Sequence, residues 1–173
     1  MAKTYIFKAS DSGIIGKAFE MAIKDALKRR NADRVSPCGT SDFRYKARNY
    51  DAKQNGSVLC YAEGQQYIKG SNRVLYATHV AHDLRMVDAD HVAVTVDLFD
   101  TTMSVVDRKE FVEFLESIGC IKRNASRGTV NIQTVYNYKK DAYHGRKGRM
   151  IEAWAFENDL GDDIIGDILA GLE

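Results

Sequence analysis

Residues 41–54, SDFRYKARNYDAKQ, alternate apolar and charged side chains on either side of a single turn. Alternation with a period of two belongs to a pleated strand with one buried and one open face, which confines this stretch to a two-stranded hairpin. With the turn at Lys46–Asn49, Tyr45 faces Tyr50, Arg44 faces Asp51, Phe43 faces Ala52 and Asp42 faces Lys53. Opposed residues share a sheet face, as do residues two apart on one strand. Phe43, Tyr45, Tyr50 and Ala52 then form a core face, and Asp42, Arg44, Asp51 and Lys53 form the other. Two adjacent carboxylates suit a hard divalent cation that prefers oxygen ligands. A lysine beside them can stabilise a phosphate oxygen or orient an attacking water, and a metal would lower that water's pKa. The plainer reading is a pair of exposed cross-strand ion pairs, each contributing about 0–1 kcal/mol.

The rest of the chain supplies elements to build around the hairpin. Lys3–Lys8 alternates as a short strand, and Asp11 or Ser12 caps a helix from about Gly13 to Arg30. Ile15, Phe19, Ala22, Ile23 and Ala26 lie on one stripe of that helix, with Glu20 at the stripe's edge. Val58–Ala62 could extend the hairpin's sheet; Arg73–Val80, Val92–Phe99 and Thr129–Tyr138 read as further strands. Arg108–Ile118 is an amphipathic helix ended by Gly119, and Ile164–Leu172 is a short closing helix. The fold class is α+β (or α/β), a mixed central sheet with the N-terminal helix packed on it and C-terminal strands and helices added. With 173 residues, 45% apolar and 28% charged, a single domain over 1–173 is expected, with a core over about 1–100 and an extension over about 101–173.

Charge is distributed unevenly beneath a net charge of +1. Lys28–Lys53 holds eight Lys or Arg against three Asp, and 122–149 holds eight against Asp141 alone. Glu152–Glu173 carries seven acidic residues and no basic one, a tail suited to repelling like-charged partners or sitting on the protein's own basic surface. Basic stretches interleaved with Tyr136, Tyr138 and Tyr143 suit a polyanion, since Lys and Arg neutralise phosphates and aromatic rings stack on unpaired bases. The candidate backbone contacts are Arg44, Lys46, Arg48, Arg127, Lys139, Lys140, Arg146, Lys147 and Arg149.

The order of parts resembles the PD-(D/E)xK nuclease superfamily, which includes restriction enzymes, archaeal junction resolvases and phage nucleases. GKAFEMAIKDALKRR supplies a helix with Glu20, SDFRY supplies Asp42, and YDAKQ supplies Asp51, Lys53 and Gln54. RVLYATHV fits the later core strand, so the resemblance covers about 13–80. Ser41 stands where the family has proline, and Asp51 where glutamate is commoner. The resemblance implies a restriction-endonuclease-like core and a Mg²⁺-dependent (or Mn²⁺-dependent) deoxyribonuclease. It also implies Asp42, Asp51, the Ala52 carbonyl and Glu20 about the metal, Lys53 assisting water attack and Gln54 supporting the site. The expected partners are DNA, a second copy of the chain, or a host nucleoprotein. The alternative is a non-enzymatic nucleic-acid or nucleoprotein-binding protein, comparable in composition to phage-encoded inhibitors of host defence.

Other features carry less. His79, His82 and His91 lack the HExxH spacing of a zinc site, and Gly13-Ile14-Ile15-Gly16 lacks a complete phosphate-loop pattern. Cys38, Cys60 and Cys120 are odd in number and form no CxxC pair, which predicts reduced thiols in a cytoplasmic protein. Neither a signal-peptide pattern nor an apolar run of membrane-spanning length is present, so no membrane partner is expected.

Overall fold

The computed structural model describes residues 2–31, 36–38, 41–54, 58–62, 72–78, 80–119, 121–124, 129–133 and 146–173. In chain order the elements are β1 (Lys3–Lys8), α1 (Ile14–Asn31), β2 (Ser36–Cys38), β3 (Ser41–Tyr45), β4 (Arg48–Gln54) and β5 (Val58–Ala62). Then come β6 (Asn72–Thr78), β7 (Ala81–Met86), β8 (His91–Asp97), β9 (Thr102–Asp107) and α2 (Arg108–Ser117). The last are β10 (Ile121–Asn124), β11 (Thr129–Gln133), α3 (Arg146–Glu157) and α4 (Ile164–Gly171). The fold is α+β. Its central sheet runs β2-β3-β4-β6-β9, with β4 and β6 parallel and the other neighbours antiparallel. Two antiparallel sheets of three strands accompany it, β1-β8-β7 and β10-β11-β5. Val58–Ala62 is thus a strand as expected but pairs with β11 rather than extending the hairpin's sheet.

Period-two alternation divides the central sheet between two cores. Phe43, Tyr45, Tyr50, Ala52, Leu75, Ala77 and Val105 pack with Phe19, Ile23 and Leu27 of α1 and with Ile164 and Ile168 of α4. The inner face of the β1-β8-β7 sheet closes this cluster through Val92, Val94 and Val96. On the other side of the central sheet, Val74, Tyr76 and Val106 meet Phe111 and Leu115 of α2 and Ile151 and Ala155 of α3. Ile151, Trp154 and Ala155 recur at the three- and four-residue spacing of a helical stripe. Trp154 completes that stripe by stacking on Phe114, with ring centroids 4.9 Å apart and planes 9° apart. Residues 144–149 read from sequence as a flexible basic run, but from Arg146 onward they form the first turn of α3.

The hairpin turn is tighter than sequence predicts. Tyr45 faces Arg48, Arg44 faces Asn49 and Phe43 faces Tyr50, which leaves Lys46-Ala47 as a two-residue turn. Both turn residues have positive φ, 48° and 63°, the backbone of a hairpin turn whose twist matches its strands. Relative to the expected pairing the register moves by two residues, so every side chain keeps its face while its opposite number changes. Arg44 accordingly faces Asn49 instead of Asp51.

Edges and helix contacts follow from local chemistry. Asp107 ends β9 and caps α2, its carboxylate accepting from the Glu110 N–H at 3.0 Å. The α3–α4 connection protects β9, since Val105 N–H donates to Asp159 Oδ1 at 2.9 Å and Leu160 N–H to the Val105 carbonyl at 2.8 Å. Helix α4 approaches α1 so closely at Gly171 that an added Cβ would fall inside the Ala26 carbonyl. Gly171→Ala should therefore push α4 off α1 and cost about 1–3 kcal/mol, read as a lower urea midpoint with unchanged slope.

Candidate functional site

Asp51 projects from the α2 side of the central sheet, and a guanidinium already holds its carboxylate. Arg108, the first residue of α2, donates from Nε to Asp51 Oδ2 at 2.5 Å, and the two side chains are only 8% and 9% exposed. Lys53, two residues along β4, shares that face and is half-buried. Glu20 belongs to α1, which packs on the opposite face against Phe43, Tyr45 and Tyr50. Its carboxylate pairs within the helix with Lys24, at 2.6 Å. Gln54 also falls on the α1 side, opposite Ala77 across the parallel β4–β6 ladder. Ala52 lies opposite Leu75 in that ladder. The structure therefore brings Asp51 and Lys53 to one face but leaves Glu20 and Gln54 behind the sheet. Asp42 is a β3 position whose side chain lies outside the described residues.

Among the described groups, Asp51, Glu20 and Gln54 are not brought to one side of the sheet. A Mg²⁺ or Mn²⁺ ion at the hairpin would compete with the guanidinium for Asp51 and would receive nothing from Glu20. Among the described residues no group of three His, Cys, Asp or Glu side chains is placed to share a metal. His82 Nδ1 lies 3.1 Å from the Val80 carbonyl, and His91 Nδ1 lies 3.0 Å from Asp88, two separate local contacts.

The cationic candidates divide in the same way. Arg44 is exposed and shares the face of Asp51 and Lys53, whereas Arg48, opposite Tyr45, belongs to the other face. Lys46 is bound to the acidic end of the chain, its Nζ 2.8 Å from Asp163 and 3.3 Å from Asp167. Hydrogen bonds to Asp163 and then Asp167 raise the pKa of its ammonium above the usual lysine value. Arg73 pairs with Asp162, so the acidic tail folds onto the protein's own cations. Arg149 is exposed near the start of α3, on the same side of the sheet as Arg44 and Lys53. Arg127, Lys139 and Lys140 lie outside the described residues, as do the side chains of Arg146 and Lys147.

Between α3 and the central sheet, Arg149 borders a cavity of about 330 Å³. Its lining is mainly apolar: Tyr76 and Thr78 of β6 and Thr102 and Ser104 of β9 on the sheet side, and Glu152, Ala153, Ala155 and Phe156 on the α3 side. Thr78 is 3% exposed, and its Oγ1 has no hydrogen-bond partner among the described residues. A buried hydroxyl left unbonded costs about 1–3 kcal/mol. The sheet-side hydroxyls were visible in sequence as polar residues two apart, YAT in β6 and TMS in β9, but each run reads first as an ordinary strand. Arg108 carried a weaker signal, a cation following a capping Asp at the end of an apolar strand.

No family model matches this chain, and comparison with curated proteins and with solved structures finds no match. Among the described residues no helix is long and apolar enough to cross a membrane.

Proposed function

We propose that the protein binds the phosphate backbone of a nucleic acid and holds it without cutting it. The observation that carries this reading is that Arg44, Lys53 and Arg149 share the α2–α3 side of the central sheet, and Arg149 borders the cavity there. Guanidinium and ammonium groups neutralise phosphates and release counterions, and hydroxyls donate to phosphate oxygens without reading sequence. The first turn of α3 contains Arg146, Lys147 and Arg149, with no acidic residue. Metal binding at Asp51 would have to compete with the Arg108 guanidinium that its Oδ2 already accepts from.

The test is a salt series. Binding of a fluorescent DNA duplex and of a single strand should weaken as salt rises, and Arg44→Ala and Arg149→Ala should each lower the logarithmic salt slope by about one. Lys46→Ala should leave the slope unchanged, because its ammonium is committed to Asp163 and Asp167. Equal slopes for wild type and both arginine variants would remove this surface as the contact. Incubating the same preparation with Mg²⁺ or Mn²⁺ decides the chemistry. DNA cleavage that EDTA stops, and that Asp51→Asn abolishes with its urea midpoint unchanged, would replace the binding reading with the nuclease one.

A further inference from the structure

Strand β7 has an unusual edge. Among the described residues it is the outer strand of the β1-β8-β7 sheet, and all six of its residues are exposed. Leu84 and Met86 are 51% and 60% exposed, although each lies opposite a buried partner on β8, Val94 and Val92. The apolar face that α1 covers over β8 thus runs on, uncovered, across β7. Natural edge strands are usually blunted by proline, a bulge or charges of one sign. Here β7 holds regular register with β8 from Ala81 to Met86 and has no proline. Its charges, Asp83 and Arg85, are opposite in sign and flank Leu84.

We propose that β7 pairs antiparallel with β7 of a second copy across a two-fold axis through Leu84, joining two three-stranded sheets into one of six strands. In an antiparallel pair, facing residues must both turn their N–H and C=O groups into the seam or both away from it. That direction alternates along a strand, so two copies of one strand align only with the axis on a residue, never between two. An axis on Asp83 would oppose two carboxylates and an axis on Arg85 two guanidiniums, both unfavourable. The axis on Leu84 sets each Asp83 against Arg85 of the other copy, Leu84 against itself and His82 against Met86. The contact is isologous and closed, as a two-fold dimer requires. Asp83 and Arg85 are 66% and 77% exposed, with only a 3.5 Å contact between them in the single chain, so both remain able to meet a partner.

The experiment is sedimentation velocity on the full chain over a range of concentrations. Wild type should pass from monomer to dimer as concentration rises. Asp83→Arg would place guanidiniums against guanidiniums, and Arg85→Asp carboxylates against carboxylates. Each should raise the dimer dissociation constant at least about tenfold, since two cross-strand attractions become two repulsions. The exchange variant Asp83→Arg/Arg85→Asp restores opposite charges across the seam and should restore the dimer. Both positions are exposed, so at concentrations where wild type is monomeric, circular dichroism and melting temperature should stay at wild-type values in all three variants. Wild type that stays monomeric throughout, a dimer indifferent to the single variants, or an exchange variant no better than the singles would each overturn the proposal.

Discussion

Arg108→Ala should destabilise the fold by about 3–5 kcal/mol, because it takes from the buried Asp51 carboxylate the guanidinium that donates to it. The pair sits between the central sheet and the first turn of α2, both side chains more than nine-tenths buried. Neither group can turn to solvent without lifting α2 from Val74 and Val106. Asp51→Asn should also be destabilising despite its near-identical shape, since the buried guanidinium then loses its bond to the Asp51 carboxylate. Replacing both, as Asp51→Leu with Arg108→Met, should come close to wild-type stability, because burying the pair already cost most of what its attraction returns. Urea denaturation of wild type, Asp51→Leu, Arg108→Met and the double variant forms a double-mutant cycle, and a coupling energy near zero would refute the buried-pair description. The cycle also bears on function. A metal-ligand Asp51 would tolerate Asn with unchanged stability and lose only cleavage.

The hairpin shows how far the sequence could be read. Its faces were legible because alternation depends only on parity, and the two-residue change in register left parity intact. Its partners were not legible, because Lys46-Ala47 carries none of the Asn or Gly that normally announces a two-residue turn. Helices α1, α2 and α4 announced themselves through apolar stripes, whereas α3 was hidden behind a first turn of Arg-Lys-Gly-Arg, a composition that reads as loop. Strands β7 and β9 were missed for opposite reasons. The first is exposed along its whole length, and the second runs without a break into the Asp107 cap. The candidate site depended on which side of the sheet α1 would cover, and no local pattern decides that. A glutamate at the edge of a helical stripe carries no information about the sheet face its helix will meet. The placement of the acidic tail was one of two outcomes its charge allowed, and Asp162, Asp163 and Asp167 realise the self-bound one.

Asp162→Ala should cost about 3–5 kcal/mol near neutral pH and remove much of the chain's sensitivity to acid. The Asp162 side chain is fully buried between α3 and α4. It accepts from the Tyr50 hydroxyl at 2.6 Å, from the Ile164 N–H at 2.9 Å and from the Arg73 guanidinium. Burial alone would raise its pKa. The donations from Tyr50, Ile164 and Arg73, with the charge of Arg73, outweigh burial and hold the carboxyl below its ordinary value. A carboxyl whose folded pKa is depressed contributes stability above its unfolded value, about 3.9, and that stability is lost as pH falls through the folded value. The wild-type melting temperature should therefore drop steeply below about pH 4, and the drop should be shallower in Asp162→Ala. The tyrosines set the opposite limb. Burial, then the hydrogen bond to Asp167, pushes Tyr45 up to about 12, and burial with the Asp162 bond pushes Tyr50 higher still. Phenols that ionise near pH 10 in the unfolded chain hold their protons longer when folded, so their contribution is complete below about pH 10 and is lost as pH rises beyond it. Asp167→Ala should flatten the Tyr45 part of this alkaline limb while leaving the acid limb in place. Asp162→Ala should flatten both, because it removes the carboxylate that titrates in acid and the partner that keeps Tyr50 protonated. Melting temperatures from about pH 2 to 12 for the three proteins decide the matter, and an Asp162→Ala acid limb as steep as wild type would place the acid-sensitive group elsewhere.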